Sequence, residues 1–434
     1  MSAVASESSR TASYVHLLRT NERFRYLWYG QIVSLLGDWF NLIASASLVG
    51  ELTGTGLAVG GLFVVRMLAP FLISPLAGVL ADRYNRKWLL ILTDLLRAVV
   101  VLGFLLVRTP GHVWLLYTLT ATQLAISGIF FPTRTAILPD IVSSHELGAA
   151  NAITSATWSI MLALGAALGG LVAGGWGIYP AFFIDALTFL LSAFFLTRIR
   201  YTPRSHPEEA KVGMRATFQQ YVAGLRYFKT HPDILAIALH KAAFSLFSGG
   251  AFQVIQVALA ERVFVIGEGG GIGLGILYAV VGVGTGVGPI ISRAFTGDRD
   301  RPLRIALAIS YPLASLGALI TASLVSFEVV VLGTILRAVG GGINWVFSNQ
   351  LLLQNVPDEV RGRVFAAEFA FFTLASALGA LSGGWALDHP QIGIRGSLLL
   401  MAGVTLTPGV LWFLWDKVRL RSHVSDSSLT EPQS

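Results

Sequence analysis

The chain has 434 residues, of which 54% are hydrophobic and only 13% charged, and its mean hydropathy is +0.67. A soluble domain carries about 25% charged residues, so this chain cannot cover a water-facing surface and belongs to the membrane class. The absence of cysteine excludes disulfides, thiolate metal sites and a cysteine nucleophile. The net charge of +7 does not call for nucleic acid, because the basic residues fall in short gaps between apolar runs.

Residues 1–25 are polar, with Arg19, Arg23 and Arg25. No apolar run precedes a small-residue cleavage site, so no signal peptide is read, and the segment is expected to be a cytoplasmic tail. A bilayer core of about 30 Å needs roughly 20 residues of helix. In chain order, that ruler predicts spans over residues 26–50, 57–81, 88–108, 113–138, 151–174 and 178–198. A second set follows over 233–260, 272–295, 303–325, 327–352, 363–386 and 393–416, with the break between its third and fourth members at Ser326. The expected fold is therefore an all-α membrane protein with twelve transmembrane helices in two six-helix bundles, 26–198 and 233–416.

The basic residues give this count a direction. With the N-terminus inside, about 24 Lys and Arg fall at inner ends and loops and about three outside, the bias of the positive-inside rule. The inner group includes Arg83, Arg86, Lys87, Arg198, Arg299 and Arg363, and the outer one is Arg108, Arg262 and Arg395. Both termini, including the tail 417–434, are expected to be cytoplasmic. The gap 199–232 holds Pro203 and Pro207. It also carries Phe218, Tyr221, Val222, Leu225 and Phe228 at helical spacing over 214–230, beside Arg215, Arg226 and Lys229. This pattern predicts an interfacial amphipathic helix within a cytoplasmic linker.

The halves repeat. Leu138-Pro139-Asp140-Ile141 matches Val356-Pro357-Asp358-Glu359, and Leu164-Gly165-Ala166 followed by Gly169-Gly170 matches Leu378-Gly379-Ala380 followed by Gly383-Gly384. Both halves start on the same side, a parallel repeat of the kind transporters use around a central site.

Between the second and third spans the chain reads Gly78-Val79-Leu80-Ala81-Asp82-Arg83-Tyr84-Asn85-Arg86-Lys87. This resembles the cytoplasmic loop signature of the major facilitator superfamily, with Asn85 where Gly is usual; Asn tolerates the left-handed backbone such a turn would need. Leu36-Gly37-Asp38-Trp39-Phe40 and the stretch Val356–Val364 resemble the branch holding macrolide-efflux-like and enterobactin-exporter-like proteins. The resemblance covers residues 24–416. It implies two bundles, with the first, fourth, seventh and tenth helices around a cavity, and a proton-coupled exporter of amphipathic small molecules. The fifth-helix antiporter signature of that family usually contains Pro. Leu164-Gly165-Ala166-Ala167-Leu168-Gly169-Gly170 has none, and the spacing of Gly165, Gly169 and Ala173 suits close helix packing.

A charge at mid-bilayer costs roughly 2.5–3.5 kcal/mol on insertion scales, so it must face protein or water. Gln31, Ser34, Asp38, Asn41 and Ser45 share one face of the first span by their spacing. Thr120, Gln123, Ser127 and Arg134 do so in the fourth, Lys241, Ser245, Ser248 and Gln256 in the seventh, and Arg337, Asn344 and Ser348 in the tenth. These are the helices that the resemblance places at the cavity, and the candidate pathway residues are drawn from them. Asp38, midway along its span, reads either as a proton-binding carboxylate or as a permanent ion pair with a buried arginine. Lys241, Arg337 and Arg66 are its candidate partners or anionic-substrate contacts. Asp94 and Arg97, three apart, read as a local structural pair. Asp82, Arg83, Arg86 and Lys87, with Gly78, read as a conformational latch between the halves, and Glu368 as its partner. His240 reads as a packed polar residue, and Gly282, Gly284, Gly286 and Gly288 as helix-crossing positions rather than a dinucleotide loop.

No P-loop is present, so energy would come from a gradient. The expected activity is secondary active efflux of a small amphipathic, drug-like molecule in exchange for H+, at the bacterial inner membrane, by a monomer without cofactor, metal or nucleic acid. The alternatives are a dedicated exporter of a metabolite such as a siderophore, a lysophospholipid flippase, or a transport-dead sensor. An integral-membrane enzyme would need clustered His, Asp or Glu ligands at membrane depth, and the sequence offers no such cluster.

Overall fold

The computed structural model describes residues 14–201 and 214–429. Pro203, Pro207 and most of the predicted N-terminal tail lie outside the described residues, as do the side chains of Asp82, Phe218 and Tyr221. The described residues contain helices and no strand. Twelve helices are long and apolar enough to cross a bilayer. Six are Glu22–Thr53, Gly56–Ala81, Arg86–Leu106, Pro110–Ile141, Leu147–Trp176 and Ile178–Thr197, and six are Pro232–Val263, Glu268–Thr296, Asp300–Ala322, Phe327–Asn355, Asp358–Asp388 and Gly393–Lys417. Large apolar side chains stand exposed along them, among them Leu72 at 73%, Ile290 at 73% and Phe295 at 78%. Patches of this kind are untenable in water and ordinary against lipid.

Most spans run past the predicted windows, while the third, sixth and ninth stop short of theirs at Leu106, Thr197 and Ala322. Asn21 caps the first span by accepting from the Phe24 amide, and Thr55 caps the second by accepting from Ala58. Ser326, the predicted break, caps the tenth span in extended backbone after Leu324 turns through a left-handed φ of 53°. Asn85 departs from expectation. Its φ is −60°, extended rather than left-handed, and its side chain accepts from the amides of Lys87 and Trp88. Asn thus serves this loop as a helix N-cap, which needs no positive φ.

The chain falls into two compact units. The first comprises Met1–Gln219 with Gln256–Gly282, and the second Gln220–Ile255 with Val283–Ser434. The side of the bilayer at which the first span begins is here the near side. In the first unit the fifth span lays Gly165 and Gly169 on the first, where an added Cβ would meet Trp39 at 2.6 Å and Ile43 at 3.1 Å. In the second unit the eleventh span lays Gly379 and Gly383 on the seventh, where a Cβ would meet the Ser245 carbonyl at 2.7 Å and Ala251 at 2.7 Å. The repeated glycines therefore do the same work in both halves. Helix ends repeat at the same offset: the fourth and tenth spans stop at C-caps Val142 and Val356, 214 residues apart (356 − 142). The Leu-Pro-Asp match at an offset of 218 is not structurally equivalent, since Asp140 lies in the last turn of the fourth span and Asp358 in the first turn of the eleventh.

The linker helix, Met214–Thr230, is less free than an interfacial helix. Its Gly224 sits against the Arg363 carbonyl, and Phe228, 3% exposed, stacks on Phe371 at 5.9 Å. Gly284 and Gly288 of the eighth span seat against the tenth, where a Cβ would meet the carbonyls of Ile335 and Val339 at 2.7 Å each. The seventh span is broken by two π-turns, Ser245–Gly249 and Leu259–Val263. Such turns release carbonyls from the helical ladder, and Thr405 donates to the Phe247 carbonyl at 3.2 Å.

Candidate functional site: a buried charge cluster

In the first unit the polar stripes converge on Arg97. The third span carries it with no exposed surface, held between the rings of Phe130 at 4.4 Å and Phe189 at 4.2 Å. Its guanidinium pairs with Asp94 one turn away and lies 3.8 Å from Asp38 Oδ2 of the first span. It also donates to Ser34 at 3.2 Å and to Ser127 of the fourth span at 3.4 Å. Ser192 of the sixth span donates to the other Asp94 oxygen at 2.6 Å. Four spans are thus pinned by one cation, sandwiched where cation–π attraction is least screened.

Each position of Leu36-Gly37-Asp38-Trp39-Phe40 after the first has a physical reason. At Gly37 a Cβ would overlap the Asp185 carboxyl and the Thr188 hydroxyl, so glycine lets these sixth-span side chains lie against the first span. Asp38 faces Arg97. Trp39 covers Gly165 and meets Tyr278 of the eighth span edge-on at 5.7 Å, and Phe40 packs at Gly169. Asp38 keeps 22% of its side chain exposed, whereas Gln31, Ser34 and Asn41 on the same face are at most 3% exposed. Gln31 donates to the Thr154 carbonyl at 3.0 Å and Ser45 to Asn41 at 3.1 Å. Arg66 of the second span interacts electrostatically with Asp38, Asp185 and Tyr278. In the fourth span Gln123 and Arg134 are buried, each with one polar atom lacking a partner among the described residues, and Arg134 lies 5.6 Å from the Phe131 ring.

The second unit gathers a different set. Lys241 donates to Asn349 at 2.9 Å, lies 2.9 Å from Glu368 Oε1 and sits 4.5 Å from the Trp345 ring. Glu368, expected to serve the loop latch, is instead 3% exposed and in ionic contact with Lys241. Arg337, 5% exposed, lies 3.8 Å from the Phe252 ring and has no carboxylate in contact among the described residues. Asn344 donates to Ser310 at 3.4 Å, and Ser348 is fully buried, donating to the Trp345 carbonyl at 3.2 Å. His240 packs edge-on against Trp412 and shares a 2.7 Å hydrogen bond with the Tyr311 hydroxyl.

Among the described residues, Arg86 and Lys87 of the loop signature find these partners within the first unit. Arg86 pairs with Asp140 at 3.0 Å and donates to the Ala136 carbonyl, while Lys87 donates to the Thr197 carbonyl. Tyr201 donates to Asp140 at 2.9 Å, and burial together with that carboxylate pushes its phenol up to about 12. Arg83 is exposed, and Gly78 has nothing within 4 Å of where a Cβ would lie.

The far-side crossing of the fifth and eighth spans is built on glycine. Where the fifth and eighth spans cross in the first unit, a Cβ on Gly170 would lie 2.5 Å from the Gly275 Cα, and one on Gly174 2.5 Å from the Ile272 nitrogen. Beside this crossing the Glu261 carboxyl lies over Gly50, and Arg262 donates to the Gly54 carbonyl at 2.8 Å.

Sequence reasoning misses two elements of the cluster. Asp94, three residues away, is a sufficient partner for Arg97 by spacing alone, which hides its reach to Asp38. Asp185, Thr188 and Ser192 form a buried stripe at spacings of three and four in the sixth span, a signal of the kind read in the first and fourth.

A family model described as transmembrane secretion effector, of the MFS_3 type, matches residues 13–433. The uncharacterized MFS-type transporter YfiS of Bacillus subtilis (strain 168) is 26% identical over 406 residues, covering 89% of this chain and 93% of that one. The multidrug resistance protein MdtG of Salmonella paratyphi C (strain RKS4594) is 28% identical over 374 residues, covering 83% and 85%. The crystal structure of the nucleoside transporter NupG superposes with a TM-score of 0.67 at 12% identity, covering 90% of this chain and 98% of that one, a likeness of fold. Twelve spans, a buried ionic cluster among them and a family match over nearly the whole length agree: the chain belongs to the transmembrane secretion effector family of major facilitator transporters.

Proposed function

We propose that this transporter exports a small amphipathic molecule in exchange for protons by alternating access, with Asp38 at the centre of the pathway. One observation carries the reading: midway along the first span, Asp38 is at once 3.8 Å from a fully buried arginine and 22% exposed, while its stripe neighbours are sealed. A carboxylate that is both held and reachable can exchange its arginine partner for a proton or a cationic ligand. The halves 26–198 and 233–416 rock about the site, the loop Gly78–Lys87 acts as the latch, and both termini face the cytoplasm of a bacterial inner membrane. One charge moved through 100 mV supplies about 2.3 kcal/mol, and a tenfold proton gradient adds about 1.4 kcal/mol. The Leu36–Phe40 segment supports the macrolide-efflux-like branch, and the relative named for multidrug resistance supports a drug-like substrate. Ligands are found by thermal shift on purified protein, and flux is then measured in reconstituted vesicles at controlled pH. Asp38→Asn abolishes ΔpH-driven flux on this reading; full activity with unchanged pH dependence removes Asp38 as the carrier.

A second reading rests on Arg337, a buried guanidinium stacked on Phe252 without an anion in contact among the described residues. It favours an anionic metabolite such as a siderophore, or a lysophospholipid. Competition between cationic drugs and anionic catecholates for the same flux separates the two.

A further inference from the structure

Asp185 is the ionisable group of the cluster that neither the loop motif nor the Arg97 hub explains. It lies in the sixth span with no exposed surface. Its Oδ1 receives one long hydrogen bond, from Thr188 at 3.4 Å, and its Oδ2 has no partner among the described residues. The Asn41 side chain of the first span interacts with this carboxyl without forming a regular hydrogen bond, and its nitrogen has no other partner among the described residues. No lysine or arginine forms an ion pair with it among the described residues. The charged groups that face it act from farther away: Asp38 on the first span, Arg66 on the second and Arg97 on the third. Of these, Arg97 is already shared by Asp94 and Asp38.

Burying a carboxylate without a cation costs several kcal/mol even after the protein relaxes, whereas a carboxylic acid needs only hydrogen bonds. A proton on Oδ2 turns the orphan acceptor into a donor. The Asn41 amide can then turn its oxygen toward it, since such amides pair either way round. Gly37 completes the arrangement, because its missing side chain seats the Asp185 carboxyl against the first-span backbone one residue before Asp38.

We propose that Asp185 holds the coupling proton in this state and exchanges it with Asp38, an inference that rests on the proton-coupled reading above. The transfer is Asp185–COOH with Asp38–COO⁻ to Asp185–COO⁻ with Asp38–COOH, so the charge of the pair is conserved. Asp38, the exposed member, then exchanges the proton with solvent, and its neutralisation loosens the contact with Arg97. Asp185 is the sealed store and Asp38 the port.

Infrared difference titration of the full-length protein in lipid nanodiscs reads the store directly. At neutral pH the wild type shows the carbonyl stretch of a protonated carboxylic acid, shifted by deuterium exchange. The proposal expects that band to vanish in Asp185→Asn and to persist in Asp38→Asn. It also expects Asp185→Asn to lose ΔpH-driven accumulation of substrate in vesicles. A band unchanged in Asp185→Asn, or a wild-type response of that variant to ΔpH, overturns it and leaves the export reading standing. A wild type whose flux ignores ΔpH overturns both. Should Asp185→Asn fail to give monodisperse protein, Asp185→Glu retains the acid in a new setting and must move the band; an unmoved band refutes the assignment.

Discussion

Adding one methyl group at Gly170 tests the far-side closure. In Gly170→Ala the new Cβ would lie 2.5 Å from the Gly275 Cα and 2.8 Å from the Gly271 carbonyl, both backbone atoms that no rotamer change can move. Carbon atoms in contact prefer about 3.5–4.0 Å, so the two helices must part by about 1 Å. Overpacking of this size costs about 1–3 kcal/mol. If the crossing exists only while the far side is closed, that cost falls on the closed state alone. With tenfold per 1.4 kcal/mol, the population then shifts by about 5- to 150-fold toward the open state. The chain has no native cysteine, so Ala260→Cys, at a fully buried position in the far-side end of the seventh span, reports opening by its alkylation rate. The rate should rise at least severalfold in Gly170→Ala. Gly286→Ala, whose Cβ meets nothing within 4 Å, should leave it unchanged. Equal rates in Gly170→Ala and its parent, with melting temperature retained, would refute a glycine-sealed closure.

Three further outcomes follow from local geometry. Arg97→Gln leaves Asp94 and Asp38 without their cation and should cost about 3–5 kcal/mol in detergent melts, because a broken buried pair strands a charge; adding Asp94→Asn should recover part of it, and additive losses would contradict the hub. Asn85→Ala should destabilise by about 0.5–2 kcal/mol and Asn85→Gly by only a few tenths, the pattern of a lost N-cap; a stabilising Asn85→Gly would instead indicate a left-handed turn. The Tyr201 phenol, pushed up to about 12, contributes stability that is present below its unfolded value of about 10 and is lost as pH rises through the folded one. Tyr201→Phe should therefore flatten the alkaline limb of the stability profile, and an identical limb would remove the Asp140 bond from the account.

The spans are legible because hydropathy and length are properties of the sequence alone, and Ser326 is legible because a cap must precede a helix. The glycine repeat is legible as well, since Gly165 and Gly379 face equivalent partners in their own halves. Which helices face each other is a tertiary fact, and there sequence reading runs out. The stripe through Asp38 is visible, but spacing within one helix cannot show that Arg97 on another reaches it. Glu368 illustrates the same limit: its position suggests the loop, and packing gives it to Lys241. At Asn85 the comparison with the usual glycine points to backbone conformation, whereas the side chain's own capping bonds decide the turn. The π-turns of the seventh span leave no trace in the apolar pattern, because one extra residue per turn alters the phase of a helix without altering its composition.

The central claim is that the Asp38 face borders a passage open to one side of the membrane at a time. Asp38→Cys, in a chain otherwise free of cysteine, can be probed with an impermeant thiol reagent in vesicles of both orientations. The account predicts labelling from either side, with substrate shifting the balance between them. Labelling from one side only, whatever the ligand or pH, would contradict it.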